Sequence, residues 1–77
     1  MDLDAYVAVH RPAWDRLRQL SRARRLSGSE ADELVALYQR VATHLSVVRS
    51  AAPDATVVAE LSTLLAQART AITGGSE

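Results

Sequence analysis

Between Leu34 and Val48 the apolar side chains return at intervals of four, three, four and three residues, as Leu34, Tyr38, Val41, Leu45 and Val48. This is the period of one face of an α-helix. Val35, Leu37, Ala42 and Val47 flank the stripe and widen it into a broad arc, while Glu33, Gln39, Arg40 and Arg49 fall largely outside. A start signal precedes it: Ser27 stands three residues before Glu30, the spacing of a capping box, in which each side chain satisfies the other residue's free backbone N–H. Pro53 supplies the stop, because proline disfavours α geometry in the residue before it and has no N–H for the ladder. The pattern predicts a central helix over 28–51.

Asp54 is a good N-cap for a further helix. Val57 or Val58, Leu61, Leu64 or Leu65, Ala68, and Ala71 or Ile72 carry the same spacing up to Gly74-Gly75. Glycine suits the left-handed residue that follows a helix end, so the helix is expected over 54–73 with 74–77 as a frayed tail. The first segment is less regular. Leu3, Tyr6, Val7 and His10 share one face, Pro12 interrupts, and Trp14, Leu17 and Leu20 resume. Proline inside a helix costs about 3 kcal/mol, so the segment 2–25 is expected to break near Pro12 into a short helix over 2–9 and a longer one over 11–25, joined by a kink or one irregular turn. No stretch alternates with period two. The expected fold is all-α, an antiparallel three-helix bundle in a single domain over 1–77, with Trp14, Leu17, Leu34, Tyr38, Val41, Leu45, Leu61 and Leu65 as core anchors.

Length limits what such a core can do. A chain of 77 residues buries only about 60% of the surface its unfolded form exposes, and with no cysteine there is no disulfide or thiolate metal site to reinforce it. Small domains without such staples often associate. The wide apolar arc of 28–51 therefore suggests that a second copy completes the bundle, with Leu37 and Val48 as the surface for it.

Net charge is zero, but six arginines stand against one aspartate within residues 11–25. Arg18, Arg22 and Arg25, at i, i+4 and i+7, would form one stripe if the helix ran through all three. Solvation or pairing with acids of another helix is the first reading of this stripe, and an anionic membrane face the second. Nucleic acid is not expected, since the domain is not basic overall and stacking aromatics are not interleaved with its arginines.

Catalytic chemistry finds little support. His44 shares an edge with Arg40, expected at the surface or half-buried, with no nearby serine or cysteine and no acid at a helical spacing to orient it. His10, on the apolar side of the first segment, reads as a packed histidine. Glu30, Asp32 and Glu33 suit the positive end of a helix dipole and need no metal. No catalytic residue, cofactor or metal is expected, and three short helices seldom enclose a ligand pocket.

The series His10-Arg11-Pro12-Ala13-Trp14-Asp15-Arg16-Leu17, then Leu26-Ser27, Glu33-Leu34, Leu37-Tyr38-Gln39-Arg40-Val41-Ala42-Thr43-His44-Leu45 and Pro53-Asp54, resembles the amino-terminal region of the stage II sporulation protein M family in its actinobacterial form. The likeness extends over essentially the whole chain. It implies a soluble segment ahead of transmembrane helices, in a family of multi-pass membrane proteins linked to remodelling of the septal cell wall during sporulation, alongside cell-wall hydrolases. On this resemblance the segment is expected to be cytoplasmic, in agreement with its acidic start, Met1-Asp2-Leu3-Asp4, and to serve in oligomerisation or in contact with membrane or cell-wall proteins. The alternative is a free-standing small regulatory or ligand-binding helical protein.

Overall fold

Three helices follow one another with short connections in the computed structural model, which describes residues 1–74: α1 (Leu3–Arg22), α2 (Gly28–Ala51) and α3 (Ala55–Ile72). Each touches both of the others. Connectors over 23–27 and 52–54 reverse the chain twice, so α2 runs antiparallel to α1 and α3, the arrangement short loops impose on sequential helices. At 1.5 Å per residue the 24 residues of α2 span about 36 Å, and the molecule measures 38 × 22 × 15 Å. The bundle is thus one central helix long, and the fold is the expected all-α three-helix bundle.

The ends are built as their residues dictate. Asp2 caps α1 by accepting from the Ala5 amide at 3.2 Å. The capping box of α2 is complete, with the Glu30 amide donating to Ser27 Oγ at 3.1 Å and the Ser27 amide donating to Glu30 Oε1 at 2.9 Å. Asp54 caps α3 through the Val57 amide at 3.0 Å. Gly74 follows α3 with φ of 75°, where its missing Cβ matters; of the expected tail 74–77, residues 75–77 lie outside the described residues.

The core is a single layer of side chains: Trp14, Leu17 and Leu20 from α1, Leu34, Leu37, Val41, Leu45 and Val48 from α2, and Leu61, Leu64 and Ala68 from α3. Burial of each large side chain contributes about 1.5–3 kcal/mol. Tyr38 and Leu65, expected among the anchors, are half-buried and pack against this layer from its edge. At the 64/65 ambiguity it is Leu64 that points inward, 1% exposed.

Two expectations about α1 are corrected. The helix does not break near Pro12 but runs unbroken from Leu3 to Arg22 with Pro12 inside it. Pro12 and Ala8, whose carbonyl loses its donor, both lie on the exposed side, so water can serve that carbonyl, and the apolar residues on either side of the proline stay on one buried face. The helix also stops at Arg22 rather than at 25. Five residues, 23–27, are then left to turn the chain and to bring Ser27 into the extended conformation (φ −68°, ψ 168°) that an N-cap requires.

Pro12→Ala restores the Ala8 acceptor bond and is expected to stabilise the fold by about 1–2 kcal/mol, less than the full helix penalty because proline also stiffens the unfolded chain. A thermal melt reads this as a rise in Tm. Leu61→Ala, at a fully buried position, is expected to lose about 2–5 kcal/mol, measured by urea titration.

Candidate functional site

Tyr6, His10 and Trp14 stand four residues apart along α1 and so present one line of rings toward α2. His44 of α2 meets that line. Its ring centroid is 4.0 Å from that of His10, 5.9 Å from Tyr6 and 6.2 Å from Trp14, and Tyr6 and His10 are themselves 4.4 Å apart. The His10 and His44 planes are inclined by only 34°, close to a stack. The Trp14 indole Nε1–H donates to His44 Nδ1 at 2.9 Å in the buried interior.

This overturns the expectation of a surface or half-buried His44, which is 6% exposed. Val41, His44, Leu45 and Val48 continue the spacing of three and four by which the core of α2 was read, so the periodicity already contained the signal; pairing His44 with Arg40 on a polar edge obscured it. What the pattern alone could not show is the partner. A fully buried indole N–H requires an acceptor, and the imidazole of the neighbouring helix provides one.

The same bond defines the chemistry of His44. Accepting at Nδ1 places the proton of the neutral ring on Nε2, which leaves no lone pair free to abstract a proton. Burial, followed by the nearby His10 and Arg40, pushes its pKa below the usual histidine value. No group of three metal-ligating side chains occurs among the described residues. Within the cluster His44 is thus held as a neutral imidazole whose free lone pair is already used by Trp14.

The arginines divide into two sets. Arg11 donates from Nη1 to Glu60 Oε2 at 2.8 Å, and Arg18 donates to the same oxygen from Nη2 at 3.3 Å and to Asp15 Oδ1 from Nη1 at 2.8 Å. Together they fasten α1 to α3. Arg16 fastens α1 to α2 by a two-pronged pair, Nε and Nη2 each 2.8 Å from an oxygen of Glu33. Arg11 also lies over the Trp14 ring, its guanidinium carbon 5.4 Å from the centroid. The second set, Arg22, Arg24 and Arg25, is exposed and pairs with no acid among the described residues.

The expected Arg18, Arg22, Arg25 stripe therefore runs along the helix only over Arg18 and Arg22, which line one groove. Arg18 belongs to the α1–α3 clamp, Arg22 closes α1, and Arg25 lies in the connector after the helix has ended. Leu37 and Val48, expected to receive a second copy, are 7% and 0% exposed within a single chain. Arg11 and Arg16 were not singled out by the sequence reading because their acids, Glu60 and Glu33, sit on other helices. The surface depressions are open: one of about 590 Å³ follows Asp15, Arg18, Gln19, Arg22 and Ala23, all on one helix and its end, so it is a groove along a helix face.

Hydrogen bonding from Arg11, reinforced by the charges of Arg11 and Arg18 and opposed by partial burial, holds the Glu60 carboxyl below its ordinary pKa. Its contribution is then present above the unfolded carboxyl value and lost as pH falls through the folded one. Side-chain exposures of 42% for Arg11 and 26% for Glu60 mean solvent screening, so Glu60→Gln is expected to cost no more than about 1 kcal/mol at pH 7. The difference from the parent should shrink as pH falls below the unfolded carboxyl value; thermal melts across pH 3–7 check this, and a constant difference would contradict it.

No curated protein and no solved structure matches this chain. Residues 4–74 match the family described as a domain of unknown function, DUF8413, and the chain, with its closed three-helix core and its aromatic pair of histidines, belongs to that family.

Proposed function

We propose that this domain is a non-catalytic docking module of a multi-pass membrane protein resembling the stage II sporulation protein M family, and that it rests on the anionic cytoplasmic face of the membrane through Arg22, Arg24 and Arg25. The observation that carries this reading is the unequal use of the arginines. Arg11, Arg16 and Arg18 are engaged in ion pairs between helices or along α1, whereas the three at the α1–α2 turn are exposed and pair with nothing among the described residues. Gly74 lines the same shallow depression as Ser21, Arg24 and Leu26, so α3 finishes at the arginine-bearing end. A membrane segment following α3 would bring that end to the lipid surface.

Each basic residue near an anionic leaflet contributes about 1 kcal/mol, so three give about 3 kcal/mol at most, reduced by Glu30 in the first turn of α2 and Asp32 just after it. Such docking is weak for a free domain and sufficient for one held at high local concentration by a membrane tether. None of the helices among the described residues is long and apolar enough to cross a membrane, so the tether would come from another segment. Self-association is the weaker reading, because Leu37 and Val48, the residues that would carry it, are used within one copy.

Co-sedimentation with vesicles tests the proposal. The domain is expected to bind vesicles rich in anionic lipid, to release them as salt is raised, and to ignore vesicles of neutral lipid. Arg22→Gln, Arg24→Gln and Arg25→Gln combined should lower partitioning at least tenfold with no change in helix content by circular dichroism. Equal binding of the triple variant, or equal binding to neutral vesicles, would sink the idea.

A further inference from the structure

The two halves of α1 are held very differently. Beyond Pro12, Trp14, Leu17 and Leu20 are at most 2% exposed. Before it, the inward residues Leu3, Tyr6, Val7 and His10 are only half-buried, and none belongs to the fully buried layer. Between the halves stands a residue without an N–H, so the helix ladder across this point lacks one of its bonds. Besides the packing of Leu3, Tyr6 and Val7 at the edge of the core, the first half meets α2 through the ring cluster, in which His10 lies 4.0 Å from His44 and His44 in turn accepts from Trp14 at 2.9 Å.

We propose that the His10–His44 contact is an acid-opened latch, whose protonation releases the first half of α1, Leu3–His10, ahead of Pro12, while Arg11, bonded to Glu60, and the remaining bundle stay folded. Three features of the contact make it sensitive to a proton. A charge on His44 would be buried; it would stand against the ring of His10; and a proton on Nδ1 would face the Trp14 N–H, turning a hydrogen bond into two opposed donors. Detaching the arm returns His10 to water and opens the His44 side of the groove, where a charge can be solvated.

The surrounding charges reinforce this sense. From α1, Tyr6, His10 and Trp14 face His44, with Arg11 over the indole. On α2, Arg40 acts on it, and like His10 it disfavours a second positive charge. The ionisable residues of α3 are Glu60 and Arg69; Glu60 is bonded to Arg11 and Arg18 and is not among the groups acting on His44. Among the described residues no carboxylate acts on His44 to stabilise an imidazolium. The lowered affinity of His44 for a proton has the corresponding sign: the closed form is favoured above about pH 6.5, the value of a free histidine, and opening grows as pH falls below it. The Arg11–Glu60 pair does not supply this response, because Glu60 is held ionised to below the ordinary carboxyl range.

Release would uncover the inner side of Leu3, Tyr6 and Val7 and the part of α2 around His44. An apolar groove that is closed at neutral pH would become accessible in mild acid, without unfolding of the core formed by Trp14, Leu17, α2 and α3.

Amide hydrogen exchange by NMR, corrected for intrinsic rates, at pH 7.5 and 5.5 tests the latch. One histidine with an open-state pKa near 6.5 raises the opening equilibrium up to about tenfold at pH 5.5. Protection of the amides of 6–11 is expected to fall by roughly that factor while those of 41–48 and 61–68 stay within about twofold. His44→Gln, which keeps an acceptor for Trp14 and cannot be charged, should abolish the pH step. Should that variant not fold, the parent still decides: the ring protons of His44 and the protection of 6–11 must share one midpoint below pH 6.5. The proposal is overturned if His44 titrates without any loss of protection in 6–11, if all three helices lose protection together, or if His44→Gln responds to acid as the parent does.

Discussion

Trp14 sets the terms for the rest of the molecule. It is the largest fully buried side chain in a core only one side chain deep, and its area is worth more to a chain of 77 residues than any other single residue. The indole also carries one N–H, which costs about 1–3 kcal/mol when left without a partner in an apolar interior. The bundle answers by spending a core position of α2 on His44 rather than on another aliphatic residue. In the interior of the α1–α2 crossing the Trp14–His44 bond measures 2.9 Å, and no buried side-chain donor or acceptor among the described residues is left without a partner.

Around this point the charged residues act as fasteners between helices. α1 carries four of the nine arginines, and three of them reach acids on both neighbours, Glu33 on α2 and Glu60 on α3. Because these pairs are partly solvated, each adds little to stability. They contribute orientation: the Arg16–Glu33 pair is two-pronged, and Arg11 and Arg18 bracket Glu60 from positions two turns apart, which together limit rotation of α1 about its axis. The arginines of the α1–α2 turn take no part in this and leave one end of the bundle electropositive.

The parts of the fold decided by neighbouring residues could be read directly along the chain. Ser27 with Glu30, Asp54, and Gly74 mark helix ends because each acts within three or four residues of itself, and α2 begins and ends within a residue of where these signals place it. Pro12 was misread because its local cost is real but is outweighed by burial on both sides of it, a term that depends on helices far away in sequence. His44, Leu37 and Val48 raise a second difficulty. A wide apolar arc shows that a face is buried without showing against what, and only the packing of α1 and α3 decides that Leu37 and Val48 are covered within one copy of the chain. The ring cluster and the clamp on Glu60 join residues 30 to 49 positions apart, beyond the reach of any periodicity.

The two connectors, 23–27 and 52–54, also govern how the bundle assembles. With so little chain between consecutive helices, α1 with α2 and α2 with α3 can form hairpins at small loop-closure entropy, and domains dominated by such local contacts fold on the microsecond to millisecond scale. The contact between α1 and α3 is the one that spans the sequence, and α2 must first bring the two together. Closure of the core therefore falls to the pairing of the first helix with the last, so the side of the bundle bearing Glu60 should be the last to form during folding.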